Sequence, residues 1–146
     1  MDEEQKNRIY ELKVSSRDIV EMVKYVKEIQ KNVNFYLKDS NLVIKGEYNF
    51  LREEIARTID RINKIRNFED ELDILASIEI LNKNINSLDL IQTGRLDSLI
   101  RDNTINQKMA TSLINDSSFA YSISYKLIHV ASALWIKSGD IKDLRG

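Results

Sequence analysis

The chain has 146 residues, of which 42% are hydrophobic and 31% charged, a composition typical of one globular domain with a buried core. It contains no cysteine, which excludes disulfide bonds and thiolate metal sites. The formal net charge is −1, and 22 Lys and Arg are scattered among 23 Asp and Glu, so we expect no nucleic-acid partner. No apolar run approaches the roughly 20 residues of a membrane span, and the charged N-terminus lacks the apolar core of a secretory signal, so we expect no membrane insertion.

Apolar residues three or four positions apart run through most of the chain and predict four long helices. The first helix is predicted to begin at residues 15–18, because two serines followed by Arg17 and Asp18 suit a helix start. It should end near residues 39–41. Residues 1–14 form a lead-in segment whose direction relative to the first helix is not specified by the sequence. The second helix carries one apolar stripe, formed by Ile44, Tyr48, Leu51, Ile55, Ile59, Ile62 and Ile65.

The third helix is predicted to start at Asn67, because the acids at 69–71 then lie in its first turn, where the helix dipole favours negative charge. It should stop at residues 93–94, and residues 95–101 are predicted to form a short connecting helix. The apolar stripe of the third helix comprises Leu72, Leu75, Ile78, Leu81, Ile85 and Leu88, and the polar Gln92 continues its spacing.

The fourth helix is predicted from a capping box at Thr104 and Gln107, and it should run to about Lys137, with Gly139 as a left-handed cap. Short connections between long amphipathic helices imply antiparallel neighbours. We therefore predict an all-α fold, an antiparallel up-down bundle of about four long helices. It should form one domain over residues 1–146, with a C-terminal tail at 139–146.

One carboxylate interrupts the apolar seam of the fourth helix. Asp116 falls at the same spacing as Met109, Leu113, Ala120, Ile123, Leu127, Val130 and Leu134. An ionised carboxylate is costly to bury unless it is paired. Asp116 therefore either bonds an Arg or Lys of a neighbouring helix and sets its register, or belongs to a binding site with Asn115, Ser112 and Ser117.

Metal and catalytic sites have little support in the sequence. Glu69 and Asp73 stand four residues apart, but they lie in an acid-rich first turn that complementation of the helix dipole already explains. His129 is the only histidine, so no histidine pair can hold zinc or iron, and we expect a packed or half-exposed ring. The sequence has no nucleophile motif and no glycine-rich phosphate loop. We therefore predict a non-catalytic protein without a cofactor.

The fourth helix resembles a known family. The residues from Lys108 to Tyr121, KMATSLINDSSFAY, followed by Lys-Leu-Ile at 126–128 and Ala-Ser-Ala-Leu at 131–134, are similar to the end of the PhoU-like cytoplasmic domain of bacterial sodium/phosphate cotransporters. Residues 14–19 and 53–65 are similar to earlier helices of that domain. The resemblance implies a PhoU-like bundle, cytoplasmic and held at the inner face of the cell membrane through a parent transporter, that modulates phosphate uptake. It also implies that the chain is the C-terminal domain of a transporter or a detached homologue.

One position departs from the family pattern. PhoU proteins bind metal clusters through Glu-x-x-x-Asp turns, and the matching turn here has Glu79 followed by Lys83. An ammonium group four residues from Glu79 would pair with it and repel a cation. The resemblance therefore leads us to expect that the metal cluster is lost.

We expect the chain to act by docking one helix face on a partner, with an apolar or aromatic groove supplying the affinity. That partner would be a transporter membrane domain or a signalling protein. Two alternatives stay open. The chain could be a free-standing adaptor or homo-oligomer, such as a homodimer, or a small-ligand or phosphate sensor built around Asn115 and Asp116.

Overall fold

A computed structural model describes residues 1–136 of the chain, and these form five α-helices, one short 3-10 helix and no strand. The elements are α1 (Glu3–Tyr36), α2 (Leu42–Ile65), α3 (Glu71–Asn84), the 3-10 helix (Ile85–Leu88), α4 (Arg95–Arg101) and α5 (Gln107–Trp135). The all-α prediction is confirmed. The helix number is five rather than about four, because the short α4 packs on α5 as a member of the bundle. The predicted helix end at Lys137, the cap at Gly139 and the tail lie outside the described residues.

The predicted start of the first helix is wrong, because α1 begins twelve residues earlier than the predicted Ser15, at Glu3. Asp2 and Gln5 form a capping box, in which each side chain accepts a hydrogen bond from the other residue's backbone N–H, at 2.7 and 3.1 Å. The lead-in segment is thus the first part of α1. Ser15 and Asp18 lie in mid-helix, where both are buried.

Two further predicted caps are displaced by two or three residues. The cap of α3 is Asp70 instead of Asn67, and the cap of α5 is Asn106 instead of Thr104. In both cases a short side-chain oxygen accepts a backbone N–H two or three residues ahead. The hydroxyl of Thr104 donates instead to the carbonyl of Leu99, which closes the turn after α4.

The predicted end of the third helix at residues 93–94 is also wrong. α3 stops at Asn84, and the chain continues as the 3-10 helix and then as a turn closed by Asp89, whose side chain accepts the N–H groups of Ile91 and Gln92. Gly94 has a φ of 69°, a left-handed conformation that glycine adopts without steric cost, and it begins α4. The short helix predicted over residues 95–101 is confirmed.

Helix α5 lies at the centre of the molecule and contacts every other element. α1 runs antiparallel to α5, because contacts along the two helices pair Asp18 with His129 and Asn32 with Asp116. The middle of the predicted α5 seam is buried as expected. Beyond residue 127 the buried face rotates, so that Ile128 is 2% exposed while Leu134 is 49% exposed. No helix among the described residues combines the length and apolar character needed to cross a bilayer.

The cap of α5 can be tested by mutation. Asn106→Ala should lower the free energy of unfolding by about 1 kcal/mol, because the N–H of Met109 loses its acceptor. Gln107→Ala is the matched control, and its effect should stay within about 0.5 kcal/mol, because α5 has no capping box at Thr104. Urea unfolding followed by circular dichroism measures both values. A larger loss for Gln107→Ala would contradict the cap at Asn106.

Candidate functional site

Three carboxylates are buried among the described residues, namely Asp18, Glu47 and Asp116. A buried carboxylate needs a cation or several hydrogen-bond donors to offset its lost hydration. Glu47 of α2 accepts hydrogen bonds at 2.7 and 3.0 Å from the guanidinium of Arg95 in α4. Asp18 of α1 lies 3.0 Å from the Nζ atom of Lys126 in α5. Asp116 is the exception, since no Arg or Lys of residues 1–136 bonds it.

Asp116 is held by two neutral groups that come from two other helices. Its Oδ2 atom accepts a hydrogen bond from the hydroxyl of Tyr48 in α2 at 2.6 Å, and another from the side-chain amide of Asn32 in α1 at 2.8 Å. Tyr48 is fully buried and stacked on Tyr36, with 4.7 Å between ring centroids, which fixes its hydroxyl against the carboxylate. The prediction of an Arg or Lys partner is therefore wrong, although Asp116 does tie three helices together.

The environment of Asp116 favours the protonated acid. Burial raises the pKa of Asp116 above its ordinary value of 3.8, the hydrogen bonds from Tyr48 and Asn32 oppose that shift, and the charge of Glu28 adds to it. Burial also raises the pKa of Tyr48, and its hydrogen bond to Asp116 raises it further. Tyr48 therefore stays a neutral donor. Both hydrogen bonds go to Oδ2, so Oδ1 has no donor among the described residues.

Asp116 lies at an open polar cleft between α1 and α5, with a volume of about 840 Å³. The cleft is lined by Glu28, Asn32, Gln107, Lys108, Thr111, Ser112, Asn115, Asp116 and Phe119. Two of these residues are acids and one is a lysine. The cleft therefore offers many hydrogen-bonding groups and few charges, which suits a small polar ligand.

The structure brings together three of the four predicted binding residues. Ser112, Asn115 and Asp116 line the cleft, and Ser112 accepts a long hydrogen bond of 3.4 Å from the hydroxyl of Tyr36. Ser117 lies elsewhere, since it is buried and its hydroxyl donates to the backbone carbonyl of Leu88 in the 3-10 helix. Ser117 thus holds α5 against the turn that follows α3.

A second polar cluster lies on the same α1–α5 interface, and it was not predicted from the sequence. The Oδ2 atom of Asp18 lies 2.7 Å from Nδ1 of His129, and Lys126 bridges Asp18 and Glu21 at 3.0 and 2.8 Å. The expectation of a packed or half-exposed His129 ring is met, since its side chain is 16% exposed. The spacing contained a signal for Asp18, which lies one helical turn before the buried Met22.

This cluster keeps its carboxylate charged. Burial alone would raise the pKa of Asp18, but hydrogen bonds from His129 and Lys126 outweigh burial and lower the pKa below 3.8. The hydrogen bond to Glu21 raises the pKa of Lys126, although burial opposes that shift. The two polar clusters of the α1–α5 interface therefore respond to pH in opposite directions.

The sequence candidates for a metal site lie on the surface. Glu69, Asp73, Glu79 and Lys83 are all exposed. Within residues 1–136, no three His, Asp or Glu side chains lie close enough together to hold a metal ion. The ion pair expected between Glu79 and Lys83 is not among those formed by the described residues, so the two side chains extend separately into solvent.

Helix α1 carries a second apolar surface, most of which lies away from α5, although Ile9 at its start lines a pocket with Leu134 and Trp135 of α5. Ile9, Leu12, Ile19, Val23 and Val26, here called the outer stripe, are 40–52% exposed. Their spacing of three, four or seven residues places them in one line along the helix, about a third of a turn from its buried face. Single exposed apolar residues are common on protein surfaces, whereas apolar residues grouped along one face of a helix are less common.

Comparison with known proteins adds no family. No protein-family model matches the chain, and no curated protein or solved structure is significantly similar to it. The resemblance of residues 108–121 to the PhoU-like domain therefore stays a prediction.

The raised pKa of Asp116 makes a prediction with a definite sign. Because the folded protein binds this proton more tightly than the unfolded chain, the wild type loses stability as the pH rises from 3.8 through the raised pKa. Asp116→Asn removes this loss and keeps an acceptor for Tyr48. The free energy of unfolding of the variant, relative to wild type, should therefore increase with pH in that window. Urea titrations at a series of pH values measure it, and a relative decrease would show that Asp116 is a stabilising carboxylate.

Asp18→Asn should show the opposite pH dependence. Because the pKa of Asp18 is lower in the folded protein, its carboxylate stabilises the folded state above pH 3.8. This stabilisation is lost as the pH falls through the lowered pKa. We expect the variant to cost about 1–3 kcal/mol near neutral pH, because Lys126 and His129 lose a partner. The cost should shrink below pH 3.8. The same urea titrations test this, and a cost that does not change with pH would contradict it.

Proposed function

We propose that the chain is a non-catalytic regulatory module that docks a partner protein on the outer stripe of α1. One observation supports this above all: α1 has two apolar faces, and the described helices cover only one of them. The inner face packs Met22, Ile29 and Tyr36 toward the core, whereas the outer stripe faces solvent. A surface helix that serves only its own fold needs a single apolar face.

The proposed partner is a sodium-dependent phosphate transporter, and the proposed effect is a change in phosphate uptake. Support for this part comes from residues 108–121 of α5 and their resemblance to the PhoU-like domain. Under this proposal the chain works in the cytoplasm at the inner face of the cell membrane. A docked module can shift a transporter between conformations only if it binds one conformation more tightly than the other.

A second candidate function, ligand sensing, is favoured by the cleft at Asp116. Its support is the Oδ1 atom that lacks a donor within residues 1–136, in a cleft that also contains Asn115 and Ser112. Calorimetry with phosphate and with nucleotides, on the wild type and on Asp116→Ala, tests this candidate, and no heat of binding in the wild type would remove it.

The docking proposal can be tested by phosphate uptake in cells. Val23→Asp places a charge in the middle of the outer stripe at a site that is 52% exposed, so the free energy of unfolding should change by no more than about 0.5 kcal/mol. We expect it to alter uptake of labelled phosphate in the same direction as deletion of the whole chain. Ile59→Asp is the matched control, since Ile59 is 51% exposed and belongs to α2 rather than to α1.

Three outcomes of that experiment would contradict the proposal. Phosphate uptake that is unchanged when the chain is deleted would show that the chain does not regulate phosphate transport. Uptake that changes on deletion but not in Val23→Asp would show that the chain acts through another surface. A change in the Ile59→Asp control equal to that in Val23→Asp would contradict a role specific to the outer stripe.

A further inference from the structure

We infer that the outer stripe of α1 binds an α-helix of another protein, and that acidic residues flank the apolar seam of this partner helix. The inference rests on the proposed docking function and names the chemistry of its partner. It follows from three features of α1: the spacing of the stripe, the kinds of residue in it, and the charges along its edge.

The spacing of the outer stripe is that of a coiled-coil seam. Ile9 and Val23 fall on the first position of the first and third of three seven-residue repeats, and Leu12, Ile19 and Val26 fall on the fourth position of all three. This period of 3.5 residues keeps a seam facing a second helix over several turns. The repeat continues through Ser16, whose hydroxyl donates to the carbonyl of Leu12 and so presents no unpaired donor to a partner.

The residue types favour a helix over a membrane surface. Four of the five stripe residues are β-branched, a type that is common in the apolar seams of coiled coils. A helix that lies in a bilayer interface buries a wide face with Trp, Phe or Leu at its centre. The outer stripe contains no aromatic side chain, and the exposed Val20 is the apolar residue that borders its middle.

A basic edge borders the stripe on the side away from α5. It consists of Lys13, Arg17, Lys24, Lys27 and Lys31, all of which are exposed. None of these five forms an ion pair with another residue of the described chain, although the acids Glu21 and Glu28 are on the same helix. The overall charge of the chain is −1, so this edge is a local excess of positive charge. An acidic partner would neutralise it and be steered toward it.

The same edge disfavours a second copy of α1 as the partner. In an antiparallel pair of identical helices, the basic edge of one copy would face the basic edge of the other, at a cost in free energy. In a parallel pair, each basic edge would face the opposite border of the seam, where Ser15 and Met22 are buried in the bundle. A foreign helix with acidic flanks avoids both difficulties.

Two synthetic peptides of about 21 residues, or three heptads, test the inference. Both carry the same Ile and Leu seam, and they differ only in having Glu or Lys at every position that flanks it. Fluorescence anisotropy of labelled peptide, titrated with the full chain, measures the affinity. We expect the Glu peptide to bind at least about tenfold more tightly than the Lys peptide at low salt, and the difference to shrink in high salt.

Two variants locate the site. Val23→Asp should abolish binding of both peptides, while Ile59→Asp should bind as the wild type does. The combined change Lys13→Glu, Lys24→Glu and Lys27→Glu should reverse the preference, so that the Lys peptide binds more tightly. Circular dichroism shows that each variant is folded before its affinity is compared.

The outcomes separate this inference from the docking function. Equal binding of the two peptides, lost in Val23→Asp, would overturn the acidic partner and leave docking intact. No binding of either peptide would overturn the helical partner, whereas the uptake experiment judges docking by itself. Binding of anionic phosphatidylserine vesicles but not of the peptides would show that the outer stripe binds a membrane surface and not a partner helix. If the chain sediments as a dimer and Val23→Asp dissociates that dimer, the outer stripe binds a second copy of the chain and not a foreign helix.

Discussion

The central position of α5 is the constraint on which the rest of the structure depends. Every other described element packs against this one helix, and several of its buried side chains are small, which lets neighbouring helices come close. Ala110, Ala120, Ser124 and Ala131 serve this purpose, and each is buried. Because α5 is covered on several sides, a polar side chain on it must find its partner inside the protein. This requirement explains why Asp116 and Tyr48 meet, and why the resulting hydrogen bonds join α1, α2 and α5.

The same arrangement accounts for the two faces of α1. Its inner face is held to α5 by apolar packing and by two polar clusters, one around Asp18 and one around Asp116. α1 also contacts α2, but among residues 1–136 the outer stripe stays exposed to solvent. A rigid helix whose inner face is fixed can present an outer seam in a preformed geometry, and preformed surfaces lose less entropy on binding. The proposed docking function therefore uses a surface that the fold orients but does not bury.

The residues that resemble the PhoU-like domain also stabilise the fold of this chain. Asp116 is bonded to α1 and α2, and Ser117 is bonded to the turn after α3, so two adjacent polar residues of the motif fasten α5 to three separate parts of the bundle. Ser112 and Asn115 line the cleft beside them. A polar motif on a central helix can thus be explained by packing alone, and the cleft is the part of it open to a ligand.

The sequence by itself determined the helical class, the bounds of α4 and much of the core in α2 and α5, because period and composition are local properties. It misplaced the start of α1, since the cap at Asp2 was as short a signal as the serines before Asp18. Only the tertiary structure decided which face of α1 is buried, because its residues offer two apolar lines and the position of α5 selects one. It also decided the partners of Asp116 and Asp18. Those partners lie 68 and 111 residues away in the chain, where local spacing contains no information about contact.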